Sequence, residues 1–144
     1  MMRKLVLGAV LVIGALVVAL LAVPLSAHHA FAAEFDASKP IKFEKATVTK
    51  MEWVNPHVWI HVDVAMPNGQ VEKWAIEAGT PNVLFRRGFT KADLLPGTAI
   101  VVDGYRAKDG SRRANGRDLT LPDGRTLFLG SSGTGSPDEA KRPN

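Results

Sequence analysis

The stretch NPHVWIHVDVAMPNGQVEKWAIE, residues 55–77, decides the fold of this chain. From His57 to Val64 it alternates without a break, with Val58, Ile60, Val62 and Val64 on one face and His57, Trp59, His61 and Asp63 on the other. A period of two is that of a half-buried strand. Asn55-Pro56 ahead of it is turn chemistry. Pro67-Asn68-Gly69 behind it supplies residues suited to positive φ, so residues 71–77 are expected to return as the second arm of a hairpin.

Upstream, residues 41–54 mix β-branched and aromatic residues with charges and read as a first strand. Ala46 and Val48 share one face while Met51 and Trp53 share the other, so a bulge is expected where the face changes. Residues 32–40 keep no sustained period, and Pro40 holds the residue before it extended, which predicts an irregular arm leading into the domain.

Downstream, Thr80-Pro81 has the form of an N-cap followed by proline at the first helical position. A helix of about two turns is expected there, with Val83, Leu84 and Phe85 inside and Gly88 as its stop. Thr90 caps a further short turn reaching Leu95, and Pro96-Gly97 launches a strand over 98–105 in which Ile100 and Val102 alternate with Val101, a pattern of cover on both faces. Residues 108–111 form a loop, a fifth strand runs over 117–121, and Pro122-Asp123-Gly124 turns into a last strand over 125–129. The order β-β-β-α-β-β, with the short last strand after it, predicts an all-β domain with one short helix. The architecture it suits is a small, partly open OB-like β-barrel over residues 41–130, which buries its core by closure rather than size.

The ends of the chain read differently. Residues 1–27 hold only two charges, Arg3 and Lys4, followed by an uncharged apolar run over 5–23 and then Pro24-Leu25-Ser26-Ala27. This is the layout of a secretory signal and predicts a periplasmic or secreted protein. The run is also close to the roughly 20 residues that span a bilayer, so an uncleaved inner-membrane anchor is the alternative and the one route to a membrane. Cleavage after Ala27 leaves a poor match at Leu25, whereas cleavage after Ala32 uses Ala30-Phe31-Ala32 and would remove both His28 and His29. Residues 28–40 are then the N-terminal arm. Residues 131–144 are Gly, Ser, Pro and charge, with almost nothing to bury, and are expected to be a disordered tail.

Composition excludes several functions. Of the 18 Lys and Arg, 16 follow residue 27, against 14 Asp and Glu, so the exported part carries +2 and its basic pI is no signature of a nucleic-acid partner. Without cysteine there is no disulfide, thiolate metal site, thiol nucleophile or covalently attached haem. No GxSxG elbow, P-loop or HExxH occurs. Carboxylates such as Glu34, Glu52, Glu72 and Glu77 are scattered as strand surfaces and turns scatter them, so binding rather than catalysis is expected.

The segments HHAFAAEFD (28–36), KMEWVNPHVWIHVDV (50–64), GTPNVLFRRG (79–88) and GYRAKDGSRRANGR (104–117) together resemble a family of small exported bacterial proteins filed as a domain of unknown function. The resemblance brings no activity with it. It implies a signal cleaved just before the paired histidines, which would make His28 the mature amino terminus.

Four histidines, His28, His29, His57 and His61, with carboxylates such as Asp63, are the available ligands; they suit the borderline metals copper and zinc, and copper(II) favours a tetragonal set of terminal amine and imidazole nitrogens. In a regular strand His57 and His61 would lie about 13 Å apart, too far to share an ion. A site would therefore join the N-terminal arm to one of them; solvent-facing histidines without a ligand are the alternative. Trp59, between them, is a candidate stacking surface, while Trp53 and Trp74 read as core or cross-strand packing. Tyr105, Arg106, Lys108, Arg112, Arg113 and Arg117 gather around one loop and suggest a surface for an envelope protein or an anionic ligand.

Overall fold

Residues 30–130, with Pro137 beyond them, are those described by the structure, a computed structural model. The elements are α1 (Ala30–Glu34), β1 (Phe35–Glu52), β2 (Trp59–Ala65), β3 (Val71–Glu77), α2 (Pro81–Arg86), a 3₁₀ turn (Lys91–Leu94), β4 (Ala99–Ala107), β5 (Arg113–Thr120) and β6 (Thr126–Phe128). The segment expected to be a signal (1–27), His28, His29 and all of the expected tail but Pro137 lie outside the described residues. Among the described residues no helix is long and apolar enough to cross a membrane.

The β2–β3 hairpin forms as its alternation requires. Val58, Ile60, Val62 and Val64 are at most 3% exposed, and β2 pairs antiparallel with β3 from Trp59↔Glu77 to Ala65↔Val71. On the other edge of β2 lies β1, and the β1–β2 register slips between Val48 and Lys50. That bulge lets Ala46 and Val48, and then Met51 and Trp53, all turn toward the core despite their odd spacing.

β1 also pairs with β4, β4 with β5 and β5 with β6, all antiparallel, while β3 and β5 meet in parallel over Ala75–Glu77 and Arg113–Asn115. The sheet therefore closes into a ring, β1-β2-β3-β5-β4, whose last join is three residue pairs long. This is the partly open OB-like barrel. α2, between β3 and β4, and the 3₁₀ turn after it pack Leu84, Phe89 and Leu94 into the core, each 1% exposed.

α2 begins as its sequence dictates: Thr80 Oγ1 accepts from Val83 N–H at 3.3 Å, proline occupies the first turn, and Gly88 ends it with φ +80°. Its inner face differs from expectation. Leu84 is buried and Val83 half-buried, but Phe85 is 66% exposed, and the aromatic ring in the core is Phe89, packed against Trp53 at 5.8 Å. A helix of six residues presents one narrow stripe, and Leu84 occupies it.

Two boundaries also move. Residues 32–40 are not an irregular arm: α1 leads straight into β1, which starts at Phe35 and pairs with β4 through Phe35↔Ala107 and Pro40↔Tyr105. The register shift between Phe35 and Pro40 lets the strand carry Pro40. β5 begins at Arg113 rather than 117, because Arg113–Asn115 join β3 while Ala114, Asn115 and Gly116 pair with β4.

Candidate functional site

The strand registers place one row of residues around the outside of the barrel. Glu52 on β1 faces Trp59 on β2, Trp59 faces Glu77 on β3, Glu77 faces Asn115 on β5, Asn115 faces Tyr105 on β4, and Tyr105 faces Pro40 back on β1. Their chain neighbours Ile60, Ile76 and Ala114 fill the interior, which turns the row itself outward. Yet three of its members are shielded: Tyr105 is 6%, Glu77 7% and Asn115 8% exposed.

The N-terminal segment shields one side. Phe31 meets the Tyr105 ring edge-on at 5.5 Å, and Phe31, Phe35, Tyr105 and Ala107 form a small second core outside the barrel. Lys108 N–H donates to Glu34 O at 2.9 Å, and its ammonium donates to Ala32 O. Glu34, at the end of α1, pairs with Arg113 at 3.4 Å, and Arg113 also reaches Asp109 at 3.0 Å.

His57 shields the other side. It lies just ahead of β2, and its Nδ1 hydrogen-bonds Oε1 of Glu77. Burial pushes the Glu77 carboxyl above its ordinary value; His57 pulls it back down, and Glu34 adds to the rise. Among the described residues nothing else bonds the His57 ring. Nδ1 is thus the ring nitrogen turned to the carboxylate, and Nε2 is the one left clear of it. Next to Glu77, the Asn115 Oδ1 is shut from solvent with no hydrogen-bond partner.

His61 sits in a separate pairing. Its Nε2 is shut from solvent 3.6 Å from Glu52 Oε2, beyond hydrogen-bond reach, while Lys50 bonds the other Glu52 oxygen and holds that carboxyl below its usual range. The two strand histidines thus address different carboxylates on either side of Trp59. Both are half-buried rather than solvent-facing, at 25% and 35% side-chain exposure. Among the described residues no group of three or more His, Asp or Glu is arranged to hold a metal ion.

The remaining sequence candidates disperse. Trp59 is half-buried in the outer row, Trp74 packs in the core on Phe43 at 4.8 Å, and Trp53 lies on Phe89. Tyr105 is covered by Phe31 rather than offered to a ligand. Arg106 lies over the Trp74 ring at 5.4 Å, Arg112 pairs with Glu72 at 3.1 Å, and Arg113 is taken by Glu34 and Asp109. The basic residues therefore do not form one unpaired patch; only Arg112 turns toward the outer β2–β3 face. Sequence reasoning missed Glu77, Asn115 and Glu34 as a unit, because the parallel β3–β5 join that unites them leaves no local pattern.

Fold and site together define a small OB-like β-barrel whose outer row holds a buried carboxylate, with a histidine hydrogen-bonded to it from beside the row. The chain belongs to the family of unknown function DUF6152, whose model matches residues 15–116. No curated protein and no solved structure matches it.

Proposed function

We propose that this is an exported small binding protein that holds a transition-metal ion, copper before others, through His57 and the histidines at the mature amino terminus, His28 and His29. The observation that carries the reading is the His57–Glu77 pair. A ligating imidazole is ordinarily oriented by a carboxylate on its other nitrogen, which fixes the tautomer and raises ligand basicity. Glu77 stands in that relation to His57, and its burial keeps water from competing. His61, whose Nε2 faces Glu52, is the weaker candidate of the two.

The course of the chain supports the partnership. His29 immediately precedes α1, whose five residues span about 7 Å, and α1 ends at Glu34, whose charge acts on Glu77 itself. In this reading residues 1–27 are removed on export, and the freed α-amine and His28 ring supply two nitrogens to the ion beside the Nε2 of His57. Copper(II) favours such a tetragonal nitrogen set, and a chain without cysteine offers no thiolate to divert it.

The test is titration of the exported protein with copper(II), following the nitrogen hyperfine pattern by electron paramagnetic resonance, with its amino terminus fixed by intact mass. A start at His28 and submicromolar binding are expected. His57→Ala should abolish the tight site, Glu77→Gln should weaken it by about 10–100-fold, and His61→Ala should leave it unchanged. Undiminished binding in His57→Ala, or a mature chain beginning at Ala33, defeats the reading.

A further inference from the structure

We infer that the groove on the outer face of β1, β2 and β3 binds a small soluble organic anion with an apolar body, at a site separate from His57. The groove encloses about 370 Å³, within the range of small-molecule sites. Lys50, His61, Asp63, Lys73, Ala75 and Arg112 line it. Lys50, Lys73 and Arg112 thus share the groove with Asp63, and with Lys50 and Arg112 paired to Glu52 and Glu72 outside the lining, Lys73 is the cation of the three that no carboxylate among the described residues pairs. The register puts Lys50 across from His61 and Asp63 across from Lys73, so the charges stand on neighbouring strands around a common hollow.

The three cations are not equivalent. Lys50 and Arg112 are held at the rim by Glu52 and Glu72, which orients them without filling the groove. The Glu72 carboxyl is held below its usual range, first by the Trp74 indole N–H that donates to it at 2.9 Å and then by Arg112, so it stays a fixed acceptor anchoring Arg112. Lys73 is exposed and makes no ion pair or hydrogen bond with the described residues. The lining also includes the half-buried ring of His61, whose Nε2 is turned to Glu52. Ala75, opposite His61, leaves space between the cations for an apolar body.

Concavity favours a free molecule over a membrane surface, since an anionic bilayer would meet the rim and not the floor. The occupant with matching chemistry carries one carboxylate, sulfonate or phosphate on a flat or aliphatic frame. Steering by Lys73 and Arg112 would be screened over about 8–10 Å at ordinary salt.

The probe is 8-anilino-1-naphthalenesulfonate, with uncharged N-phenyl-1-naphthylamine beside it, titrated by fluorescence into the metal-free mature protein. Saturable one-to-one binding is expected, at least 10-fold tighter for the sulfonate. Lys73→Glu with Arg112→Glu should weaken it by 10-fold or more. Ala75→Phe, which fills the groove from the outer face, should remove it while the circular dichroism spectrum stays native. His57→Ala should bind the probe as the parent does, so the groove and the metal reading stand or fall separately. Equal affinity for the two probes, unaltered binding by the charge-reversed protein, or capture on phosphatidylglycerol vesicles would overturn the inference.

Discussion

Gly104 on β4 has no room for a side chain, because a Cβ there would run into the main-chain carbonyl of Asn115 on β5. The Asn115 carbonyl carbon would lie 3.2 Å away and the Gly116 Cα 3.3 Å away. The obstacle is backbone, which cannot rotate aside. The register slips between Asp103 and Gly104, and this close approach holds Asn115 opposite both Tyr105 and Glu77. Gly104→Ala should therefore cost about 1–3 kcal/mol by forcing the strands apart. Urea denaturation measures it, and an unmoved midpoint would contradict the approach described.

Leu84 and Phe85, adjacent on α2, should respond in opposite ways. Leu84, 1% exposed, should lose about 2–5 kcal/mol on truncation to alanine, and Phe85, 66% exposed, should change stability by no more than about 0.5 kcal/mol. Equal losses in thermal unfolding would restore the helix orientation in which both point inward.

Thr80→Ala tests the start of the same helix. The hydroxyl accepts from Val83 N–H at 3.3 Å, a long bond, so the loss should fall in the lower part of the range for such caps, about 0.5–1 kcal/mol. Thr80→Ser should recover most of it.

Two carboxylates should tilt stability with pH in opposite directions. Burial raises Glu77, so the folded state holds that proton more tightly than the unfolded chain does. The contribution is complete below the ordinary value of 4.5 and is lost as pH rises through the raised one, and Glu77→Gln should remove this decline. Asp109 is lowered to about 2, chiefly by Ser111, so its contribution is present above the ordinary 3.8 and lost as pH falls toward 2. Asp109→Asn should flatten the acid limb. Chemical denaturation at pH 2–7 resolves both, and slopes of the same sign would refute the assignment.

Much of the barrel was legible where structure is local. Alternation from Val58 to Val64, the Thr80-Pro81 start and the face change between Val48 and Met51 each impose their geometry within a few residues. What escaped is set by distant partners. Phe35 to Lys39 look irregular because their strand character comes from β4, and Arg113 to Gly116 carry poor strand formers that pair because β3 and β4 lie on either side of them. Glu77 reads as one more strand-end acid until His57, twenty residues earlier, is seen against it. His57 and Trp59 were legible as residues of interest; the separate partners of His57 and His61 were not.

The three-pair join between β3 and β5 has a further consequence. A cylinder closed along so short a weld comes apart there first, and Ala75 N–H, which donates to Arg112 O at 3.0 Å, reports whether it is shut. Glu77 and Asn115 sit on opposite sides of that weld, so any molecule gripping both acts as a rivet. Riveting stabilises the closed barrel by about 2.7 kcal/mol at a hundred times the dissociation constant, and the melting temperature rises with ligand concentration accordingly. Amide exchange at Ala75 would slow in step with it, so this one bond can screen candidate ligands before any of them has a name.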